Sequence, residues 1–436
     1  MAGGTALDPG TGLGVATDAV ERAVRGGADG AKVVHTYTEK FEVNFDTHDV
    51  TLVRSTVDDN LAITLYSDTR KGSTQLTGRA HDAVDRAVAE ALEAAQAGER
   101  DPANILPEDP AEPVGDSGPT SPDTELMVDA VLAHLEAMRD RYPTIVSDSS
   151  FYSFVSTWRS YANSHGRTQQ ARTGHYELAV VASGKDGRKA TSFNYAAHLS
   201  EEPTRDLLSL AAVERLYETT VASFDARPIP STFVGDVIFT PESVETLVET
   251  LSGALGGVAL LRKATPFLDK LGTSVADGGF TFEHAPSRLA GAQAFDGEGF
   301  VNRDVPIISD GVLENFLVDW YFSHKLDRPM TTGCGDFLIR PGNEALDDLI
   351  ASTERGILLG RYSGGSPNQN LDFSGVAKNS FYIENGKVTH PIAETMVAGN
   401  FVSVLASIRG ISKETVDFGH TVSPWIATSG VTVSTK

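Results

Sequence analysis

Apolar and polar residues alternate along residues 32–76, as in strands that bury one face of an antiparallel sheet. The alternation breaks at turns rich in Asp, Asn and Gly, which predicts a meander of about four strands. Residues 144–200 return to the same alternation and predict further strands. The first half of the chain should therefore contain an antiparallel sheet.

Other segments of the first half repeat their apolar residues at helical spacing. They are residues 15–26, 80–97, 122–140 and 203–223. Because these helices and strands come in separate runs, the pattern favours an α+β fold. We expect an N-terminal antiparallel sheet with segregated helices beside it.

The second half has a different pattern. Two prolines in "DARPIPSTFVGDVIFTP" mark a link near residues 225–232, which predicts domains at 1–225 and 226–436. Most of the remaining chain consists of short alternating runs, with hairpin turns predicted at Asp310–Gly311 and Asn385–Gly386. We expect a mainly-β C-terminal domain, built as a curved β-sheet or open barrel with a few helices.

The composition and charge of the chain argue against some classes of function. The chain has 436 residues and a formal net charge of −23 without a Lys/Arg cluster, which argues against nucleic-acid binding. Its one cysteine, Cys334, fits a reducing compartment. The N-terminus lacks the features of a signal peptide, and no apolar run approaches the roughly 18 residues of a membrane span. We expect a cytoplasmic protein with no membrane contact.

Candidate chemistry centres on the helical stretch "VETLSGALGG", residues 248–257, with its carboxylate Glu249. A zinc peptidase helix would pair such a glutamate with histidines. No two of the eleven histidines are close enough in sequence to share a helix face, although a site assembled from distant segments remains open. Serine-hydrolase elbows and phosphate-binding glycine motifs are missing from the sequence too. We predict a flexible loop at residues 361–370, and a small turn residue rather than a nucleophile at Cys334.

Several motifs in combination resemble the TldD/TldE (PmbA) family, called modulators of DNA gyrase. Those in the second half are "SGALGGVALLRKATPFLDKLG", "FDGEGFVNRDVPIISDGVLENFLVDWYFSHKL" and "NSFYIENGKVTHPIAETMVAGNF". In the first half, "GADGAKVVHTYTEKFEVNFDTHDV" and "RKGSTQLTG" occupy the expected places. The resemblance covers nearly the whole chain.

The resemblance also indicates a branch of that family. TldD-like members carry His-Glu-x-x-x-His on this helix and a cysteine near the C-terminus, whereas TldE-like members lack these zinc ligands. Here the histidine positions correspond to Val248 and Gly253, and residues 413–420 contain no cysteine. The resemblance therefore implies a TldE/PmbA-like chain with no catalytic residue and no metal of its own.

The resemblance implies that the chain is a non-catalytic subunit of a TldD/TldE zinc peptidase complex. Such a complex would process unfolded or modified peptides. Zinc would be held by a TldD-like partner. Candidates for peptide contacts are Arg262, Lys263, Tyr362 and Asn370, although the two basic residues could instead be solvated charges. The alternatives are a homodimeric peptide-binding protein without a peptidase partner, and an enzyme using Cys334 or the 361–370 loop.

Overall fold

An antiparallel sheet forms the framework of the N-terminal half. The computed structural model describes residues 11–331, 335–364 and 366–435. The strands of this sheet are β1 (Gly30–Phe45), β2 (Val50–Ser67), β3 (Arg70–Thr77), β4 (Ile145–Ser147), β5 (Ser150–Asn163), β6 (Thr168–Asp186), β7 (Lys189–Ala190) and β8 (Asn194–Ser200). They lie in the order β3-β2-β1-β5-β6-β4, and β7 and β8 also pair with β6. β8 is thus an edge strand, a position that matters for the site described below.

Helices cover this sheet in two groups. They are α1 (Gly12–Arg25), α2 (His81–Ala97), α3 (Thr124–Arg141) and α4 (Val213–Ala222). Small side chains of α1 and α2 pack on β1 and β2 in one apolar cluster, while α3 and α4 pack on β5 and β6 in another. The Asp123 carboxylate begins α3 by accepting a hydrogen bond from the Leu126 amide, at 3.0 Å.

The C-terminal half contains two further sheets. Its strands are β9 (Phe233–Phe239), β10 (Phe282–His284), β11 (Val305–Ser309), β12 (Val312–Leu313), β13 (Phe337–Ile339), β14 (Arg355–Leu359), β15 (Arg361–Gly364), β16 (Asp372–Lys378), β17 (Phe381–Glu384), β18 (Lys387–Pro391), β19 (Thr395–Asn400), β20 (Ile408–Asp417) and β21 (Val422–Thr435). One sheet has the order β12-β11-β10-β13. The larger has the order β15-β16-β19-β21-β9-β14-β17-β18, with β20 on β21, and curls into a half-barrel.

Helices in this half are α5 (Pro241–Leu255), α6 (Gly257–Leu261), α7 (Trp320–Leu326), α8 (Leu346–Ala351) and α9 (Phe401–Ala406). The buried face of α5 shares its apolar core with the inner faces of both C-terminal sheets. Among the described helices, each is too short or too polar to cross a membrane. The core therefore fixes α5 in place and leaves its opposite face available for a site.

The predicted fold class is confirmed: an N-terminal antiparallel sheet with segregated helices precedes a curved C-terminal sheet. Both hairpin turns form as expected. Asp310 and Gly311 have φ of 45° and 80°, and Asn385 and Gly386 have φ of 50° and 73°, values that suit the mirror-image turns of two-residue hairpins. The domain boundary at 225/226 stays a prediction.

Three local predictions were wrong. Residues 32–76 form three long strands rather than about four, because β2 continues through Asp58–Asn60 instead of turning there. Burial of Asp59 explains this, since inside the protein its carboxylate is hydrogen-bonded to His35 Nε2 at 2.7 Å and forms an ion pair with Arg79 Nε at 3.1 Å. The predicted loop 361–370 likewise begins with a strand, β15, over its first four residues.

The helix predicted at 203–223 starts only at Val213. Polar side chains compete for the backbone before it: Thr204 Oγ1 accepts from the Asp206 amide, and an Asp206 carboxylate oxygen accepts from the Ser209 amide. Such local bonds favour turns over helix. Ala212, with φ of 68°, then separates these turns from α4.

A turn in the second half docks on the N-terminal sheet and joins the two halves. We call residues 295–301 the docking turn; it is closed by a bridge between Phe295 and Val301. Lys32 forms an ion pair with Glu298, Arg159 bonds the Phe295 carbonyl at 2.5 Å, and Arg167 bonds the Gly299 carbonyl at 2.8 Å. The turn thereby contributes to how the two halves face each other, together with contacts such as that of Trp320 Nε1 with the Ile105 carbonyl.

Candidate functional site

A cleft runs along the exposed face of α5. Its first part, about 370 Å³, lies between β8 and α4 on one side and α5 on the other. Its second part, about 480 Å³, lies between α5, the end of α6 and β15. Glu249 lines both parts and marks their junction. The cleft is therefore built from both halves of the chain.

Three carboxylates of α5 face this cleft. Glu242, Glu245 and Glu249 are three and four residues apart, a spacing that places side chains on one face of a helix. Val244 and Val248 belong to the opposite face and are buried in the C-terminal core. The same periodicity that buries one face of α5 thus presents an acidic row to the cleft.

Two of these carboxylates have a basic neighbour. Arg215 of α4 forms an ion pair with Glu242, and its guanidinium lies 4.9 Å from the Trp425 ring centroid. His420 Nε2 lies 3.3 Å from a Glu245 carboxylate oxygen, and this hydrogen bond raises the pKa of His420. A protonated His420 therefore balances Glu245 over a wider pH range than an isolated histidine would.

Glu249 has no ion-pair partner within the described ranges, and its side chain is exposed. Across the second part of the cleft, the Tyr362 ring packs on Phe373 with centroids 5.4 Å apart. Its buried hydroxyl has no hydrogen-bond partner in the described part of the chain. Burial, followed by the charge of Glu249, raises the pKa of Tyr362, so the phenol stays a hydrogen-bond donor.

The open edge of β8 borders the first part of the cleft. Within the described ranges β8 pairs with β6 alone, and the Leu199 amide points away from β6 to the Phe418 carbonyl at 2.9 Å. Backbone groups of alternate residues in an antiparallel strand point to the same side. The N–H and C=O groups of Tyr195 and Ala197 therefore face the cleft, where the structure records no backbone partner for them among described residues.

The four predicted peptide-contact residues do not all line the cleft. Tyr362 lines the cleft. Arg262 and Lys263 follow α6 and are exposed, just before the lining residue Ala264. Asn370 lies outside the lining, and its carbonyl accepts a hydrogen bond from Asn400 Nδ2 at 2.7 Å. Their roles in binding stay predictions.

The residues at the zinc positions do not fit the metal. Val248 is 9% exposed and packs in the core, and Gly253 has no side chain, although the space beside it is open. Neither provides a donor atom, and zinc normally needs three or four protein or water ligands. Within the described ranges, no three His, Cys, Asp or Glu side chains are grouped to hold a metal. Cys334 lies outside the described residues.

Sequence reasoning missed the acidic row and its neighbours. The spacing of Glu242, Glu245 and Glu249 was visible in "ESVETLVE" and could have identified the row. Arg215, Tyr195 and His420 come from distant segments, and their convergence depends on how the halves dock. No sequence feature indicated that β8 would be an open edge.

Comparisons with known proteins agree with this architecture. A model of the PmbA/TldA metallopeptidase C-terminal domain matches residues 232–435. Metalloprotease PmbA of Escherichia coli O157:H7 is 27% identical over 405 residues, covering 89% of this chain and 88% of the relative. A zinc metalloprotease TldD homolog of Saccharolobus solfataricus is 29% identical over 198 residues, covering 42% of each chain.

The fold has a solved counterpart as well. The crystal structure of TldE from Thermococcus kodakarensis superposes with a TM-score of 0.81 and 20% sequence identity, covering 96% of this chain and 100% of that one. The sequence matches extend over both halves, and the structural match shows that the whole fold is shared. The chain belongs to the PmbA/TldD family, whose members are named metalloproteases.

Proposed function

We propose that this chain is the non-catalytic, TldE/PmbA-like subunit of a TldD/TldE zinc peptidase complex that processes unfolded or modified peptides. A TldD-like partner subunit holds the zinc and carries out the cleavage. The observation that carries the proposal is helix α5, which has Val248 and Gly253 at the two positions where a zinc peptidase needs imidazoles. The protease names of the relatives support the reaction class.

The chemistry of α5 supports a non-catalytic role. A glutamate in a zinc peptidase handles the proton of a metal-bound water, so it needs a metal close by. The two histidine positions beside Glu249 are occupied by Val248, which lies in the core, and by Gly253, which has no side-chain donor. Glu249 alone binds zinc no better than another exposed carboxylate does, so this chain contributes binding surface rather than hydrolysis.

The cleft supports contact with peptides. Unpaired N–H and C=O groups of an edge strand bind an extended peptide by adding it as a further strand. Tyr195 and Ala197 present such groups, and Leu216, Leu358 and Phe418 give the cleft an apolar wall for a side chain. Because backbone contacts carry little sequence information, this arrangement suits unfolded peptides of varied sequence.

Replacing Ala197 by proline should weaken peptide binding by about two- to tenfold, since one hydrogen bond contributes roughly 0.5–1.5 kcal/mol. The lost N–H faces the cleft, so the β6–β8 ladder keeps its bonds. The measurement is the KM for an unfolded peptide in the reconstituted complex. Ala197→Ser, which keeps the N–H, is the matched control, and equal KM values for both variants would exclude strand addition at β8.

Glu249→Gln should leave kcat of the reconstituted complex nearly unchanged, because the glutamate that handles the proton lies on the partner. The charge of Glu249 faces the cleft, so a modest change in KM is compatible with this assignment. Steady-state kinetics of wild-type and variant complexes separate the two constants. A kcat reduced by several orders of magnitude would place the working carboxylate in this chain.

A homodimeric peptide-binding protein remains the alternative, because the open edge of β8 would serve it equally well. Expression of the chain together with a TldD-like protein distinguishes the two functions. Co-purification of both chains and cleavage of an unfolded peptide by the pair support the complex. Failure of the chains to associate, with peptide binding by this chain alone, supports the alternative.

A further inference from the structure

The open edge of β8 is short, because another segment of the chain meets it at each end. At the C-terminal end, the Leu199 amide donates a hydrogen bond to the Phe418 carbonyl at 2.9 Å. At the N-terminal end, the Phe193 carbonyl accepts a hydrogen bond from an arginine of β15 at 3.0 Å. Between these points, the backbone groups of Tyr195 and Ala197 face the cleft. An added peptide therefore pairs over about three residues, and one of its ends meets the arginine.

This arginine, Arg361, lies over the beginning of β8. Its guanidinium carbon is 5.5 Å from the Phe193 ring centroid and 5.9 Å from that of Tyr195, and both aromatic side chains are more than half exposed. Its Nη2 is also 3.4 Å from Asn194 Oδ1. Nε and Nη1 meet no acceptor in the part of the chain that the structure describes. The guanidinium therefore has donors left for a ligand of the cleft.

The charge of Arg361 is not balanced by a neighbouring carboxylate. Three basic residues line the first part of the cleft, and two of them, Arg215 and His420, contact Glu242 and Glu245. Arg361 is half-buried and forms no ion pair within the described ranges. Arginine binds carboxylates through two parallel N–H···O bonds, because its planar fork matches their geometry. An unpaired guanidinium at this place favours a carboxylate ligand.

We infer that Arg361 binds the C-terminal carboxylate of a peptide that pairs antiparallel with the open edge of β8. This inference rests on the proposed function and names its substrate class, peptides whose own C-terminus enters the cleft. An antiparallel peptide runs from Ala197 towards Tyr195, so its C-terminal end reaches the beginning of β8. There the carboxylate meets the guanidinium, while the Phe193 carbonyl keeps its hydrogen bond to Nη2.

Other arrangements of the peptide fit less well. A parallel peptide would bring its N-terminal amine, which is mostly protonated at neutral pH, to the guanidinium of Arg361, and the two positive charges would repel. A peptide that continued along β8 past Tyr195 would have to displace Arg361 from the Phe193 carbonyl. Glu249, the unpaired carboxylate of the same lining, repels a peptide carboxylate. These charges together favour a C-terminus at Arg361.

Isothermal titration calorimetry of the purified full chain with an unfolded peptide tests the inference. The peptide lacks aspartate and glutamate, so its C-terminus is its one carboxylate. The Kd should be about tenfold lower for the free acid than for the C-terminal amide, because the amide loses a charge-assisted hydrogen bond. Acetylation of the N-terminus should leave the Kd of the free acid unchanged. Equal Kd values for the acid and the amide would overturn the inference.

Variants of Arg361 show whether it causes this preference. Arg361→Gln should raise the Kd of the free acid about tenfold and leave that of the amide unchanged. Arg361→Lys keeps the charge and should retain part of the preference. The matched control is Arg188→Gln, which removes an exposed arginine from the turn between β6 and β7 and should bind like the wild type. A preference that survives Arg361→Gln would overturn the inference.

Cleavage of the same peptides by the complex with a TldD-like protein separates this inference from the proposed function. The free acid should have the lower KM. Cleavage of acid and amide with equal KM would overturn the inference and leave the proposed function intact, whereas neither binding nor cleavage of either peptide would overturn both. An amidated peptide ending in aspartate that binds as tightly as the free acid would also overturn the inference, because the site would then accept any carboxylate.

Discussion

Purified without a partner, the chain should contain no stoichiometric zinc and should cleave no peptide. Zinc affinity comes from several donors in the right geometry. Val248 and Gly253 supply none, and no metal-binding group of described residues includes Glu249, which lies between the two parts of the cleft. Elemental analysis of the chain after dialysis, together with an assay on an unfolded peptide, measures both properties.

Either of two results would contradict this prediction. One tightly held zinc per chain, or peptide cleavage that a chelator abolishes in the absence of any TldD-like protein, would mean that distant side chains assemble a metal site. A TldD-like protein prepared in the same way is the positive control, since the resemblance implies that it holds zinc. A preparation in which neither protein contains zinc would be repeated with zinc supplied during expression.

Lys32→Met should destabilise the protein by about 3–5 kcal/mol, the usual cost of leaving a buried charge without its partner. Lys32 and Glu298 side chains are each 15% exposed; Lys32 contacts Glu298 Oε1, and Glu298 Oε2 has no hydrogen-bond partner among the described residues. Burial already raises the pKa of Glu298, and Lys32 opposes that shift. The loss should appear in chemical unfolding followed by circular dichroism.

Two variants control this prediction. Combining Lys32→Met with Glu298→Gln removes the uncompensated charge and should recover part of the stability. Lys189→Met breaks an ion pair whose side chains are 63% and 85% exposed, and such pairs contribute about 0–1 kcal/mol. If Lys32→Met were no more destabilising than Lys189→Met, the docking turn would not depend on this ion pair.

The fold was largely predictable because the spacing of apolar residues indicates which face of a helix or strand is buried. α2 and α3 bury one face each, and β1 alternates, so their patterns identify them directly. Failures occurred where a polar residue had a partner elsewhere. Asp59 suggested a turn, but its hydrogen bond to His35 and its ion pair with Arg79 hold it inside β2.

The cleft was only partly predictable for the same reason. Glu249 and Tyr362 were identified on single segments, and both line it. The ion pair between Arg215 and Glu242, and the contact of His420 with Glu245, depend on how the two halves dock. Strand edges are also a property of the assembled sheet, because a strand's sequence does not show which neighbours it will have.

The most direct test of the central claim is the rate at which an unfolded peptide is cleaved by a TldD-like protein with and without this chain. The account predicts cleavage by the two chains together, a much lower rate for the TldD-like protein alone, and none for this chain alone. An equal rate with this chain omitted would contradict its role as a subunit of the peptidase.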